Sequence, residues 1–466
     1  MTTLAVSSTN NIPRGPKPMN NLLVAMPYIM QMSRDMMGTM DGMFKQYGDT
    51  FSFEIMGGRV AMFSHPDHIQ EIVLTQANKF HKGMDYKDEK AGLARFMGNG
   101  LVTSDGEFWK RQRKLASPAM HAKRIQNYAG TMTDFTVRML DGWRDGTRID
   151  VAFEMMRLTL KIVAQTLFHV DITQDVGRVD EAMSAIQEAA GGGINLVPAW
   201  VPTPRELKAR KALRDLNEIV YGIINQRRAG GEDMGDLLSM LLLARDDDGN
   251  GMTDKQVRDE AVTMFLAGHE TTANALNWTF YLLAQHPDVL AKLHAELDTV
   301  LGGRVPTLAD LEQLKYTEMV VKESMRLLPP VWGFGRQAIE DVRIGEYDIP
   351  KGTSVSVATY WTHRDPRWWE NPEAFEPERF SPEREAKIRK YAYIPFGGGP
   401  RICIGNSFAM MEARLLLATI ASRYTLHLAP RQKVEMLPLI TLNPKGGLPM
   451  TIRARESIRE RVVAAR

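Results

Sequence analysis

Phe396-Gly397-Gly398-Gly399-Pro400-Arg401-Ile402-Cys403-Ile404-Gly405 is the stretch on which the reading of this chain turns. It carries the only cysteine in 466 residues, which leaves no partner for an intrachain disulfide and no cysteine cluster for zinc. Three uses remain for the sulfur: a thiolate nucleophile, a single metal ligand, or a buried structural side chain. The glycines permit positive φ and the close approach of a flat ligand to the main chain. Arg401 stands two residues before the sulfur, where it can pair with an anionic group of the same ligand. Asn406 to Leu417 has a helical pattern, so the sulfur precedes a helix N-terminus whose dipole favours the anion.

Around this loop the composition is unremarkable. Lys and Arg number 58 against 56 Asp and Glu, and apolar residues make up 44%. That balance argues for neither nucleic acid nor an anionic membrane surface as partner. Length alone suggests about three domains, but no linker or composition shift divides the chain. The expectation is a flexible or extended arm over residues 1–20 and one domain over 21–466. A single cysteine is compatible with a reducing cytoplasm. Leu22 to Met30 is apolar but interrupted by Pro27, too short to span a membrane, and predicts a helix with a buried Met/Leu face.

Phe51 to Phe63 predicts a β-hairpin, Asp67 to Leu74 a short helix, and 80–100 a long loop. Trp109 and Arg113, four apart, share a face of a basic helix. Residues 132–243 are mostly helical by periodicity, broken by an apolar segment at 191–202 that reads as a lid or a packed connector. Arg245 to Gly251 lacks the twelfth-position glutamate of a calcium loop and reads as a solvated turn. Thr253 opens a long helix, with Asp254 and Glu260 supporting its first turns. In its middle Ala267-Gly268 removes bulk and Glu270-Thr271-Thr272 brings polar groups between Phe265, Leu266 and Leu276. Glu323 and Arg326 pair at i and i+3 ahead of Pro329-Pro330, and Leu442 to Pro449 reads as a hairpin turn near the substrate.

Five fixed positions in ten residues, Phe-x-x-Gly-x-Arg-x-Cys-x-Gly, are met by Phe396, Gly399, Arg401, Cys403 and Gly405, and this resembles the haem-ligand loop of the cytochrome P450 family. Ala267 to Thr272 is similar to that family's oxygen-activation motif, Glu323-x-x-Arg326 to its Glu-x-x-Arg, and Pro377 to Phe380 to its Pro-x-Arg-Phe. The resemblance runs over roughly residues 45–455, with these motifs in family order. It implies a mainly α fold with a smaller β region, and haem buried between the long helix and the cysteine loop.

The same resemblance assigns roles. Cys403 ligates the iron of haem b (iron protoporphyrin IX); Arg401, Arg113, Trp109 and Arg336 meet the haem carboxylates, and Phe396, Gly399 and Gly405 shape the cofactor loop. Gly268 leaves room for dioxygen, Thr271 hydrogen-bonds the oxygen being reduced, and Glu270 relays protons. His269 is structural. Glu323, Arg326 and Arg379 form a structural triad behind the loop. Phe265, Ala267, Val331 and Phe334 line the substrate pocket. The implied activity is a monooxygenase that inserts one atom of O2 into an apolar molecule such as a fatty acid, terpene or steroid. No flavin or iron–sulfur module is legible, so electrons come from separate partners, a ferredoxin or flavodoxin and an NAD(P)H-dependent reductase. The alternatives are a haem-thiolate peroxygenase or isomerase, against which Glu270-Thr271 weighs, and a non-catalytic haem-based binding protein.

Overall fold

Long helices carry most of the chain in the computed structural model, which describes residues 11–90, 92–191, 200–231 and 233–455. The longer ones are α1 (Leu22–Arg34), α2 (Met36–Tyr47), α3 (Gly106–Ala116), α4 (Ala129–Asp141), α5 (Val151–Phe168) and α6 (Val176–Gly191). They continue with α7 (Pro204–Gly230), α8 (Asp254–Gln285), α9 (Pro287–Leu301), α10 (Lys315–Leu327) and α11 (Asn406–Arg423). α8 is the axis of the molecule. A capping box starts it: Thr253 N donates to Gln256 Oε1 at 2.8 Å, and Gln256 N donates to Thr253 Oγ1 at 3.3 Å. Pro287, at the first position of the next helix, stops it. It packs against α5, α10 and α11 and is buried along nearly its whole length.

A five-stranded sheet lies beside the helices in the order β1 (Thr50–Ile55), β2 (Gly58–Phe63), β8 (Ser354–Val357), β5 (Phe334–Ala338), β3 (Phe80–His81). The β1–β2 hairpin turns on Met56 and Gly57, both at positive φ (51° and 80°), the two-residue turn that suits the strand twist. β3 and β5 pair antiparallel as Phe80↔Ala338 and His81↔Gln337. One step further along that register, Lys82 comes beside Arg336. Smaller sheets join β6 (Val342–Ile344) with β7 (Tyr347–Ile349), β10 (Met436–Pro438) with β11 (Leu442–Pro444), and β4 (Arg148–Asp150) with β12 (Pro449–Ala454) and β9 (Tyr424–Leu428).

Five expectations change. Residues 11–20 are extended but pinned, because unpaired backbone groups of β1 accept them: Ser52 N donates to Arg14 O and Met19 N to Glu54 O, both at 2.9 Å. α1 forms, yet it buries Ala25 and Ile29 and leaves Leu23 88% exposed, since its apolar residues are spread around the axis. The 80–100 loop contains two short helices, Met84–Lys87 and Ala94–Met97. Leu442 to Pro449 is no hairpin: β11 pairs with β10, whereas β12 pairs with β4 and β9. Glu260 does not serve the helix start; it is buried, accepts Leu101 N at 3.1 Å, and burial pushes its carboxyl up to about 8. Residues 192–199 of the 191–202 segment lie outside the described residues, and Trp200, which follows them, is 77% exposed.

The frame behind the cysteine loop is an ion network with no water contact. Arg326 donates to Glu323 through Nε (2.7 Å) and Nη2 (2.8 Å), and Arg379 Nε reaches Glu323 Oε1 at 3.3 Å. Arg326 also donates to the carbonyls of His363, Pro372 and Ala374, fastening the 363–374 meander. His363 then accepts Ile394 N at 2.9 Å through Nε2, which reaches the first turn of the cysteine loop. Burial and the neighbouring Arg326 and Arg364 push that imidazole down to about 3, so it stays a neutral acceptor. Arg326→Ala strands Glu323 without its main counter-charge and is expected to cost about 3–5 kcal/mol. Denaturant unfolding of the purified variant measures this.

Candidate active site

Cys403 N donates to Phe396 O at 3.0 Å and closes the loop. Gly397 and Gly399 adopt positive φ (69° and 62°). At Gly399 a Cβ would lie 1.8 Å from Val73 O, so this glycine is needed for contact with the 71–75 helical turn and does not line the cavity. Around Gly405 nothing lies within 4 Å of a built Cβ, and that side of the loop is open. It faces a cavity of about 360 Å³ whose lining includes Cys403, Phe396, Gly405, Gly268, Glu270 and Thr271. The thiol is solvent-accessible only in the sense that it opens into this cavity: burial pushes its pKa up, opposed by Gly405 N–H and by Arg113.

The cations gather at one end. Lys82, Arg336 and Arg401 all line the cavity. Lys82 is 8% exposed, rests 4.1 Å over the Tyr86 ring, and is held far below the usual lysine range by burial and by repulsion from Arg336 and Arg401. Arg336 is lowered by burial, and among the described residues its side-chain hydrogen bond goes to its own neighbour's carbonyl, Gly335 O at 2.8 Å. Arg401, pushed down to about 10 by burial, pairs with Asp105 and donates to Ser104 O at 2.9 Å. Its guanidinium sits 4.2 Å over the Trp109 ring. Trp109 and Arg113 are not among the cavity-lining residues. Trp109 braces Arg401, and Arg113 Nη1 donates to Ile402 O at 2.9 Å, next to the sulfur.

On α8, Thr271 Oγ1 donates to Ala267 O at 2.9 Å, which leaves its lone pairs free as acceptors. Glu270 is buried and receives hydrogen bonds from Gln187 and Thr441. Gly268 lines the cavity, but a Cβ there would point at Val163 of α5, 3.4 Å away, so the glycine also governs helix packing. His269 is buried with Nδ1 at 2.6 Å from Phe265 O, held down to about 4 by burial. Ala267, Val331 and Phe334 line the cavity. Phe265 does not: two residues from Ala267 on a helix is over half a turn, and its ring packs on Phe168 at 5.8 Å.

A family model for cytochrome P450 matches residues 13–449. The chain belongs to the cytochrome P450 family. Among its relatives, cyclooctat-9-en-7-ol 5-monooxygenase of Streptomyces melanosporofaciens is 35% identical over 391 residues, 82% of this chain and 84% of that protein. Pentalenene oxygenase of Streptomyces avermitilis is 32% identical over 412 residues, 88% of this chain and 91% of that protein. The solved structure of retinoic acid bound cyanobacterial CYP120A1 superposes with a TM-score of 0.84 at 24% identity, over 96% of this chain and 100% of that one. This P450 is a haem-dependent monooxygenase of apolar organic molecules, supplied with electrons by redox partners. Among the described residues no helix is long and apolar enough to cross a membrane.

The residues present fit a haem. Two buried cations and the half-buried Arg401, with Asp105 and Asp85 as nearby acids, are an arrangement that a planar ligand with two carboxylates completes. The lone thiol opening onto the same apolar cavity completes the donor set. Sequence reasoning missed Lys82, because a lysine after a two-residue strand carries no local mark. It also missed Gln187, Thr441 and His363, whose partners are distant in the chain. Lys82→Met is expected to release haem several-fold faster to an acceptor protein while stabilising the haem-free form. The stabilisation is full below the depressed lysine's folded-state pKa, where the charged form penalises folding, and fades as pH rises from there to 10.5. Haem-transfer kinetics and denaturant midpoints across pH check both halves.

Proposed function

We propose that this P450 holds haem b through Cys403 Sγ and oxidises a cyclic terpenoid hydrocarbon or alcohol. The observation that carries the reading is that the only cysteine opens onto the same cavity as Thr271, Glu270 and the cations Lys82, Arg336 and Arg401. When bound, the haem supplies the chemistry of reductive dioxygen activation, placing one oxygen atom in the substrate and releasing the other as water.

The chain's own residues do the rest. Cys403 offers a thiolate in a loop fixed by its own N–H on Phe396 O, with Arg113 balancing charge beside it. Lys82, Arg336 and Arg401 anchor the cofactor carboxylates, and Trp109 keeps Arg401 in place by stacking. Thr271 Oγ1, its proton committed to Ala267 O, accepts a hydrogen bond from the cavity side. Glu270, whose carboxyl burial raises, holds a proton within reach of that site. Met183, Ile186, Val331 and Phe334 give an apolar wall suited to a rigid hydrocarbon. The two relatives named for a cyclic alkenol and for pentalenene support a terpenoid over a fatty acid. Lys387 and Lys390, exposed on the segment that leads into the loop, would receive an acidic ferredoxin or flavodoxin, itself reduced by an NAD(P)H-dependent reductase in a reducing cytoplasm.

Cys403→Ser is expected to abolish the thiolate signature of the reduced carbon-monoxide spectrum; its persistence would remove Cys403 as the ligand. Among polycyclic terpene alkenes, terpene alcohols and straight-chain fatty acids, the cyclic compounds should produce the low-to-high spin shift at micromolar concentration. A shift with fatty acids alone would overturn the substrate class.

A further inference from the structure

Glu270 sits in a buried amide and hydroxyl network whose proton positions the geometry determines. Gln187 on α6 accepts the backbone N–H of Ile440 through Oε1 at 3.0 Å, so its amide group must face Glu270 with Nε2, which donates to Glu270 Oε1. Thr441 Oγ1 accepts from Asn274 Nδ2 at 3.1 Å and from Asn443 Nδ2 at 2.9 Å. Amide nitrogens only donate, so the single hydroxyl proton of Thr441 is left for Glu270 Oε1 as well. Asn274 in turn accepts from Asn277 at 3.2 Å and donates to Asn443 at 3.0 Å. Two fixed donors on one carboxyl oxygen exclude a proton there. A neutral Glu270 must carry its proton on Oε2.

We propose that Gln187 and Thr441 are positioning residues for proton delivery: they hold Glu270 Oε1 as a fixed acceptor, so that Oε2 carries the transferable proton, and they tie this arrangement to the substrate-facing wall. This rests on the reading of Glu270 as proton carrier. The tie is physical. Gln187 follows Ile186 on α6, and Thr441 follows Ile440; both isoleucines line the cavity, so substrate pressing on either moves a donor to Glu270. No charged side chain faces the carboxyl from these elements. Gln187 comes from α6, Thr441 from the residue just before β11, Asn443 from β11, and Asn274 from α8 itself. No neighbouring charge acts on the carboxyl, and the adjacent His269 turns its Nδ1 to Phe265 O. Burial raises the Glu270 pKa, and the hydrogen bonds from Thr441, Gln187 and Asn443 oppose it.

Infrared difference spectroscopy of the ferric holoenzyme tests this. Glu270→Gln should remove one protonated-carboxyl C=O band and so assign it. In Gln187→Leu and Thr441→Val the pH midpoint of that band should move up by about one unit, because each variant removes a bond that favours the anion. Thr441→Ser, which keeps the hydroxyl, should retain the parent midpoint. Unmoved midpoints in both Gln187→Leu and Thr441→Val, or no band lost on Glu270→Gln, would overturn the proposal. Coupled turnover surviving in Glu270→Gln, with the midpoints shifted as described, would instead sink the proton-carrier reading and leave the network intact.

Discussion

A helix buried around its whole circumference has no water to satisfy its polar side chains, and that constraint organises this protein. α8 buries Arg258, Asp259, Glu260, His269, Glu270, Asn274 and Asn277. Each must find its partner in protein; His269 and Asn277 find theirs on α8 itself, and the others reach chain segments far away. Arg258 takes Phe96 O at 2.8 Å and Asn217 at 2.9 Å; Asp259 takes Asn99 N at 2.9 Å; Trp278 donates to Leu442 O at 2.8 Å. The loop over 96–101, α6, α7 and the strand segment around 441 are therefore hydrogen-bonded to one rod. Apolar packing alone would leave their register loose; polar satisfaction makes it specific.

The same rule read in reverse explains the cation end of the cavity. Lys82 and Arg336 are brought together by strand pairing, and the fold gives them too few acceptors. The other buried cations are matched: Arg326 and Arg379 face Glu323, and Arg258 meets Asp259 at 3.0 Å. Among the described residues the two buried cations without an ion pair, Lys82 and Arg336, both line the cavity. The protein carries a standing electrostatic cost at that place, which haem would relieve in the placement proposed above.

How much of this was legible in the sequence follows from how local each signal is. The cysteine loop, the Ala267–Thr272 turn and the Glu323/Arg326 pair are short spacings, and a short spacing survives any tertiary arrangement. The Met56-Gly57 turn was equally plain, since few residues tolerate its backbone. What failed was side-chain direction and strand partnership. Phe265 lies on the far side of α8 from Ala267, and Leu442 and Pro449 look like two arms of one hairpin although each pairs with a different sheet. Lys82, Gln187, Thr441 and His363 act through residues roughly 30 to 320 positions away in the chain, and nothing in their own neighbourhoods marks them.

Gly399 and Val73 have the last consequence. With the Val73 carbonyl where a Cβ of residue 399 would be, the cysteine loop is seated against the 71–75 turn with no clearance to move further toward it. That contact is made by protein alone, so the part of the loop around Gly399 has its seat without the cofactor. Cofactor capture then resembles docking into a finished socket more than coupled folding and binding. The socket's entry rate is set by how its walls breathe, and its holding power by how little they must change.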